Sequence, residues 1–185
     1  MSEVAARYRR VADGFGRRLT GVREDQWNGP TPCTEWDVRA LVVHVIATQG
    51  RVVAMVTGAP PPEVEEDGDL AAQWSRATAS VTAALDDPEL SSKTVGGSFG
   101  EQPFESLVSR LLCSDTIFHT WDLARATGQD EALDREAVEK AMEFLEPLDD
   151  AIRRPGGFAP RIDPPPDADV QIRLLNFGGR ADRTT

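Results

Sequence analysis

The stretch CSDTIFHTWDLARATG, residues 113–128, decides how this chain is read. It places Asp115, His119 and Asp122 at spacings of four and three before Gly128 stops the run. Residues so spaced share one face of an α-helix. At about 100° per residue, His119 lies only about 40° around the axis from Asp115. The protein has 2 histidines, and the other, His44, falls in a second such stretch, TPCTEWDVRALVVHVIATQG at 31–50.

Outward from these stretches the chain reads as helices. Residues 103–127 form the fourth helix, since Pro103 suits a first turn and Gly128 a C-terminal stop. The second helix begins with Thr34 at its N-cap and Asp37 three positions on. It runs to about Thr57, where Gly58 and then Pro60, Pro61 and Pro62 end it. Before it, Asn28-Gly29-Pro30-Thr31-Pro32 is a loop. The first helix covers 2–22, with Val4, Tyr8, Val11, Phe15 and Leu19 on one face. An acidic loop at 63–69 precedes a third helix over 70–85, and 91–101 is a loop or a short hairpin. A fifth helix spans 134–151 with Asp134 as cap, and VQIRLLNFGG from 170 suggests one more short helix.

The expected fold is therefore all-α: an antiparallel helical bundle over 1–151. A Pro-rich C-terminal extension, 152–185, carries the short helix and packs on the same domain. With 40% apolar and 28% charged residues the composition is that of a globular chain. A net charge of −11 with no basic patch repels phosphate backbones and anionic lipid, so neither nucleic acid nor membrane is an expected partner. No window is expected to match the roughly 20 apolar residues of a membrane span, and MSEVAARYRRVADGF lacks the apolar run of a signal peptide. The expected location is cytoplasmic. Cys33 and Cys113 form no CxxC pair, which argues against a disulfide framework. Lys93 and Lys140 are the only lysines among 20 basic residues, a bias of GC-rich genomes.

Bundle cores are where metal sites are built from facing helices. If the second and fourth helices face each other, His44, Asp115 and His119 converge as two imidazoles and a carboxylate. Three protein ligands plus an open position are the usual catalytic zinc arrangement, able to acidify water or hold a thiol as thiolate. The plainer alternatives are a hydrogen-bonded core histidine and an i,i+4 surface pair. Asp122 either pairs with Arg125 or Arg39 or orients a ligand histidine. Cys33 sits just before the second helix, where the helix dipole favours a thiolate; otherwise it fixes the loop against Trp36. Cys113 lies about 200° around the helix from Asp115 and should face a packing interface. Trp36 and Trp121 are core or pocket walls, and Thr48 is a donor to metal-bound water or a polar filler. Arg180 can fold back to bind an anion. The same ligand types make the facial triad of non-haem iron oxygenases, but those sit mostly on β-barrels.

The segments TPCTEWDVRALVVHV, DTIFHTWDLARATGQD and RLLNFGGR, in that order, resemble the DinB-like metal-binding proteins related to the N-terminal domain of mycothiol-dependent maleylpyruvate isomerase. The resemblance implies a DinB-like up-and-down four-helix bundle with a divalent metal, commonly zinc, held at one end by His44, Asp115 and His119. The isomerase carries Glu where this chain has the shorter Asp115, and a separate C-terminal domain where 34 residues follow the fifth helix here. Relatives of this fold include thiol S-transferases using mycothiol or bacillithiol. The implied function is a metal-dependent transferase or isomerase acting on a low-molecular-weight thiol such as mycothiol and an electrophile. The alternative is a non-catalytic metal- or ligand-binding stress protein. Apolar helix faces left after core packing would pair subunits in a homodimer.

Overall fold

A computed structural model describes residues 2–97, 100–153 and 158–180. Among the described residues it is all-α apart from one hairpin of two two-residue strands. Helix α1 (Glu3–Thr20) starts at Ser2, whose Oγ accepts the Ala5 N–H at 3.1 Å. Its apolar face buries Tyr8, Val11, Phe15 and Leu19. Helix α2 (Val38–Thr57) ends at Gly58, whose φ of 74° is the left-handed conformation that glycine adopts without strain. Helix α3 (Leu70–Asp86) is capped by Asp69 and followed by the short α4 (Pro88–Ser92). The 91–101 segment leads into a hairpin, β1 (Thr94–Val95) antiparallel to β2 (Gln102–Pro103), with Ser98 and Phe99 outside the described residues.

The second helix does not begin where the capping pattern suggested. Asp37, not Thr34, is the N-cap, accepting the Ala40 N–H at 2.8 Å. The two N–H groups that follow are held from outside the helix: Val38 donates to the Gly29 carbonyl and Arg39 to that of Trp27. The loop thus satisfies orphan donors that a start at Thr34 would have used internally.

The fourth helix also departs from expectation, since it is not regular over its length. It comprises α5 (Phe104–Leu107), a π-helical turn Val108–Leu112, and α6 (Cys113–Thr127), closed by Gly128 with φ 69°. Asp134 caps α7 (Arg135–Leu145) as its sequence suggests. The expected continuation to 151 breaks at Glu146-Pro147-Leu148, a 3-10 turn, before α8 (Asp149–Ile152). Pro147 lacks the N–H a continuing helix needs. The last element is α9 (Val170–Phe177), capped by Asp169.

Helix α1 packs on α3 and α6, and α2 packs on the same two, so these four close into a ring. Helix α7 covers the outer side of α6, and α9 covers α7. Helix α6 therefore stands between two cores. One contains Tyr8, Phe15, Leu41, Val45, Trp74, Phe104, Leu112 and Leu123. The other joins Ile117, Phe118 and Trp121 to Val138, Leu145, Leu174 and Phe177, which ties α9 to the bundle.

Helix α2 corrects one expectation. An 18-residue stretch within Val38–Thr57 has a mean hydropathy of 1.5, enough in length and composition to cross a membrane. Here that hydropathy serves the core, where Val38, Leu41, Val42, Val45, Val52 and Val56 are buried. Among the described residues Met55 and Ile162 are the large apolar side chains left exposed.

Candidate metal centre

Helices α2 and α6 are in contact, and their facing turns bring His44, Asp115 and His119 together. One ligand atom from each lies within 4.8 Å of the others. His44 Nε2 is 3.3 Å and His119 Nε2 is 3.6 Å from the same Asp115 Oδ1. In tetrahedral zinc with bonds of about 2.1 Å, neighbouring ligand atoms lie about 3.4 Å apart, so these two edges have the size of a first coordination sphere. The ring centroids of His44 and His119 are 5.2 Å apart at 77°, edge to face.

The other nitrogen of His119 is already engaged. Nδ1 lies 3.0 Å from Asp122 Oδ2, and an ionised carboxylate can only accept, so the proton sits on Nδ1. With Nδ1 engaged by Asp122, Nε2 is the ring atom that His119 turns toward Asp115 and can offer to a cation. Asp115 Oδ2 is buried and has no hydrogen-bond partner, a second vacant donor atom of the kind a hard cation takes up. The residues therefore fit a divalent metal.

Electrostatics bears out the commitment of both carboxylates. Burial alone would raise the Asp115 carboxyl; the charge of His119, the hydrogen bond from His44 and the charges of His44 and Arg51 outweigh it and hold it below its ordinary value. Burial likewise opposes ionisation of Asp122, and hydrogen bonds from His119 and Arg180 outweigh it. The side chains of His44, Asp115 and His119 are 27%, 17% and 8% exposed. The centre is open on the His44 side and closed behind His119.

Trp36 forms a wall, its ring 4.3 Å from that of His44 and 5.5 Å from that of His119. Asp122 is fully buried behind His119 and takes Arg180, neither Arg125 nor Arg39, as its ion-pair partner. Arg125 pairs with Glu131 and stacks over Trp121, while Arg39 donates to the Glu66 carbonyl and stacks over Trp27. Trp121 belongs to the second core. Thr48 Oγ1 donates to the His44 carbonyl at 2.9 Å and accepts from Arg51 at 2.7 Å, so its hydroxyl proton is already placed.

Cys33 overturns the dipole argument. Helix α2 starts five residues later than Cys33, in whose turn Thr31 Oγ1 and the Trp36 N–H both bond the Cys33 carbonyl. Its thiol is pushed up by burial and by Asp122, with Arg180 opposing. Cys113 is buried in the first core and pushed up to about 12, mainly by burial.

Two features of the site escape reasoning from spacing. One is the identity of the anion that Arg180 folds back to meet: it is the Asp122 carboxylate, 58 residues away, which spacing does not single out. The other is a buried chain below the centre: Tyr8 OH donates to Gln49 Oε1 at 2.9 Å, and Gln49 Nε2 donates to Thr116 Oγ1 at 3.3 Å. It links α1, α2 and α6 beside the ligands, Thr116 following Asp115 directly in the chain.

Fold and site together define a class, a helical bundle with a two-histidine, one-carboxylate cluster between two of its helices. Within that class, residues 8–124 match the family model of the mycothiol maleylpyruvate isomerase N-terminal domain, and the chain belongs to that family. Two uncharacterized proteins of Mycobacterium tuberculosis, from strains CDC 1551 / Oshkosh and H37Rv, are each 35% identical to it. Each match covers 95% of this chain and 97% of the relative. No solved structure gives a significant match.

Proposed function

We propose that this protein holds a divalent cation, with zinc as the first candidate, on His44, Asp115 and His119, and is a thiol-dependent transferase or isomerase. The observation that carries the reading is the convergence of these three side chains within 4.8 Å. When bound there, the cation supplies Lewis acidity that keeps a thiol ionised at neutral pH. The family name points to mycothiol as that thiol.

The chain's own residues have distinct parts. His44 and His119 present nitrogens, and Asp115 neutralises charge with one oxygen shared between the two rings. Asp122 holds the His119 proton on Nδ1. Trp36 shields one flank of the rings, leaving the His44 side as the approach for thiol and electrophile. Burial raises both the Cys33 and the Cys113 thiol, and Cys113 lies in the first core, which favours the co-substrate as the source of the reacting sulfur.

A second reading is a binding protein without turnover. It is favoured by the commitment of both buried carboxylates at the site, Asp115 to the two histidines and Asp122 to His119 and Arg180. Elemental analysis of the purified protein beside His44→Ala and His119→Ala, with folding checked by circular dichroism, tests the shared premise. One zinc per chain, lost in both folded variants, supports it; a protein that neither carries nor takes up metal overturns it. Consumption of mycothiol with 1-chloro-2,4-dinitrobenzene then separates the enzyme from the binding protein.

A further inference from the structure

The C-terminal RLLNFGGR does more than finish α9. At Gly178 the backbone runs so close to Phe118 that a Cβ would overlap the ring. Gly179 has φ 75°, and a Cβ there would lie 2.7 Å from the Ala159 Cβ and 2.8 Å from the Pro160 carbonyl oxygen. Only a glycine pair lets the chain turn back at this point. The turn returns Arg180 to α6, where its guanidinium stacks 4.8 Å over Phe118. Nε donates to Asp122 Oδ1 at 2.9 Å, Nη2 to Oδ2 at 2.7 Å, and Nη1 to the Gly178 carbonyl at 3.0 Å.

This fork is buried, with Arg180 11% and Asp122 0% exposed. The Asp122 oxygen that takes Nη2 also faces His119 Nδ1 at 3.0 Å. A planar guanidinium bonded through two nitrogens fixes the carboxylate plane in a way a single point charge cannot. The carboxylate plane in turn aims the imidazole.

We propose that Arg180 is a positioning residue of the metal centre: acting through Asp122, it fixes the orientation and tautomer of His119 and so sets the affinity for the cation. The proposal rests on the reading of His44, Asp115 and His119 as metal ligands. It makes the centre a product of both ends of the fold, the bundle supplying ligands and the segment after α9 supplying their alignment.

Cobalt(II) titration of metal-free protein, followed by its visible d–d absorption, tests this in wild type, Arg180→Gln, Arg180→Lys and Asp122→Asn, with circular dichroism as the control for folding. Wild type is expected to bind one cobalt ion. Arg180→Gln and Asp122→Asn are expected to bind about 10–100-fold more weakly with an altered band. Arg180→Lys keeps the charge without the fork and should fall between them and wild type. Combining Arg180→Gln with Asp122→Asn should weaken binding no further than Asp122→Asn alone, since one pathway is cut twice. If Arg180→Gln does not fold, Arg180→Lys decides. Wild-type affinity and spectrum in whichever folded Arg180 variants are obtained would overturn the proposal while leaving the metal site standing. Absence of cobalt uptake by wild type would overturn both.

Discussion

The buried chain from Tyr8 through Gln49 to Thr116 gives a quantitative test of how the helices are held in register. Tyr8 and Gln49 are 1% and 0% exposed, and burial raises the Tyr8 hydroxyl well above its ordinary range. Tyr8→Phe removes the donor and leaves Gln49 Oε1 buried without one. Gln49→Leu leaves the Tyr8 hydroxyl without its acceptor and frees Thr116 Oγ1 of its bond. Each single change is expected to cost about 1–3 kcal/mol, the penalty for a buried unsatisfied polar group. At this chain length about 1 kcal/mol lowers Tm by about 2–4 °C. The double variant removes both partners and leaves neither stranded, so it should be destabilised by at least about 1 kcal/mol less than the sum of the singles. Urea unfolding followed by circular dichroism measures the cycle. Additivity within about 0.5 kcal/mol would mean that the 2.9 Å contact carries no coupling and that shape alone sets the register.

Three further outcomes follow from the site and its surroundings. Zinc at about 100 times its Kd should stabilise the folded protein by about 2.7 kcal/mol, a rise in Tm visible by scanning fluorimetry and missing in His44→Ala. Trp36 lies 4.3 Å from the His44 ring, so zinc should change the tryptophan fluorescence, and Trp36→Phe should remove most of that change; an undiminished signal would place its source at Trp27, Trp74 or Trp121. Asp134 governs part of the acid limb: burial would raise its carboxyl, but bonds from Arg10 and the Ala137 N–H outweigh burial and depress it. A depressed carboxyl contributes stability above its unfolded value of about 3.9, lost as pH falls through the folded one. Asp134→Asn should therefore cost stability at neutral pH, and its curve should converge on that of wild type only as pH falls from about 4 through the lower, folded value.

What could be read from residues alone follows the reach of local rules. The i,i+4 spacing of Asp115 and His119 follows from helix geometry, and the glycines at 58 and 128 mark helix ends because both take positive φ. The start of α2 is not legible from its capping residues, because Asp37 competes with Thr34 and the winner is set by carbonyls of Trp27 and Gly29 outside the helix. The π-turn left no mark in Val108-Ser109-Arg110-Leu111-Leu112, whose residues suit an ordinary helix. The partner of Asp122 lies 58 residues away, beyond any periodic pattern, and nearer arginines made better guesses on spacing alone. Helix α9 was visible as a short apolar run, yet its place against Ile117 and Phe118 depends on packing of the second core.

The widened turn at Val108–Leu112 has a consequence for how this chain tolerates insertions and deletions. It holds about one residue more than the α-turn it replaces. Removing one residue there lets the turn tighten into regular helix, while α5 and α6 each keep the face they already bury. The same deletion between Asp115 and His119 would swing every side chain on one side of the cut by about 100° relative to the other and part the two ligands. Length variation among relatives along this helix should therefore gather at 108–112 and avoid the stretch from Asp115 to Asp122.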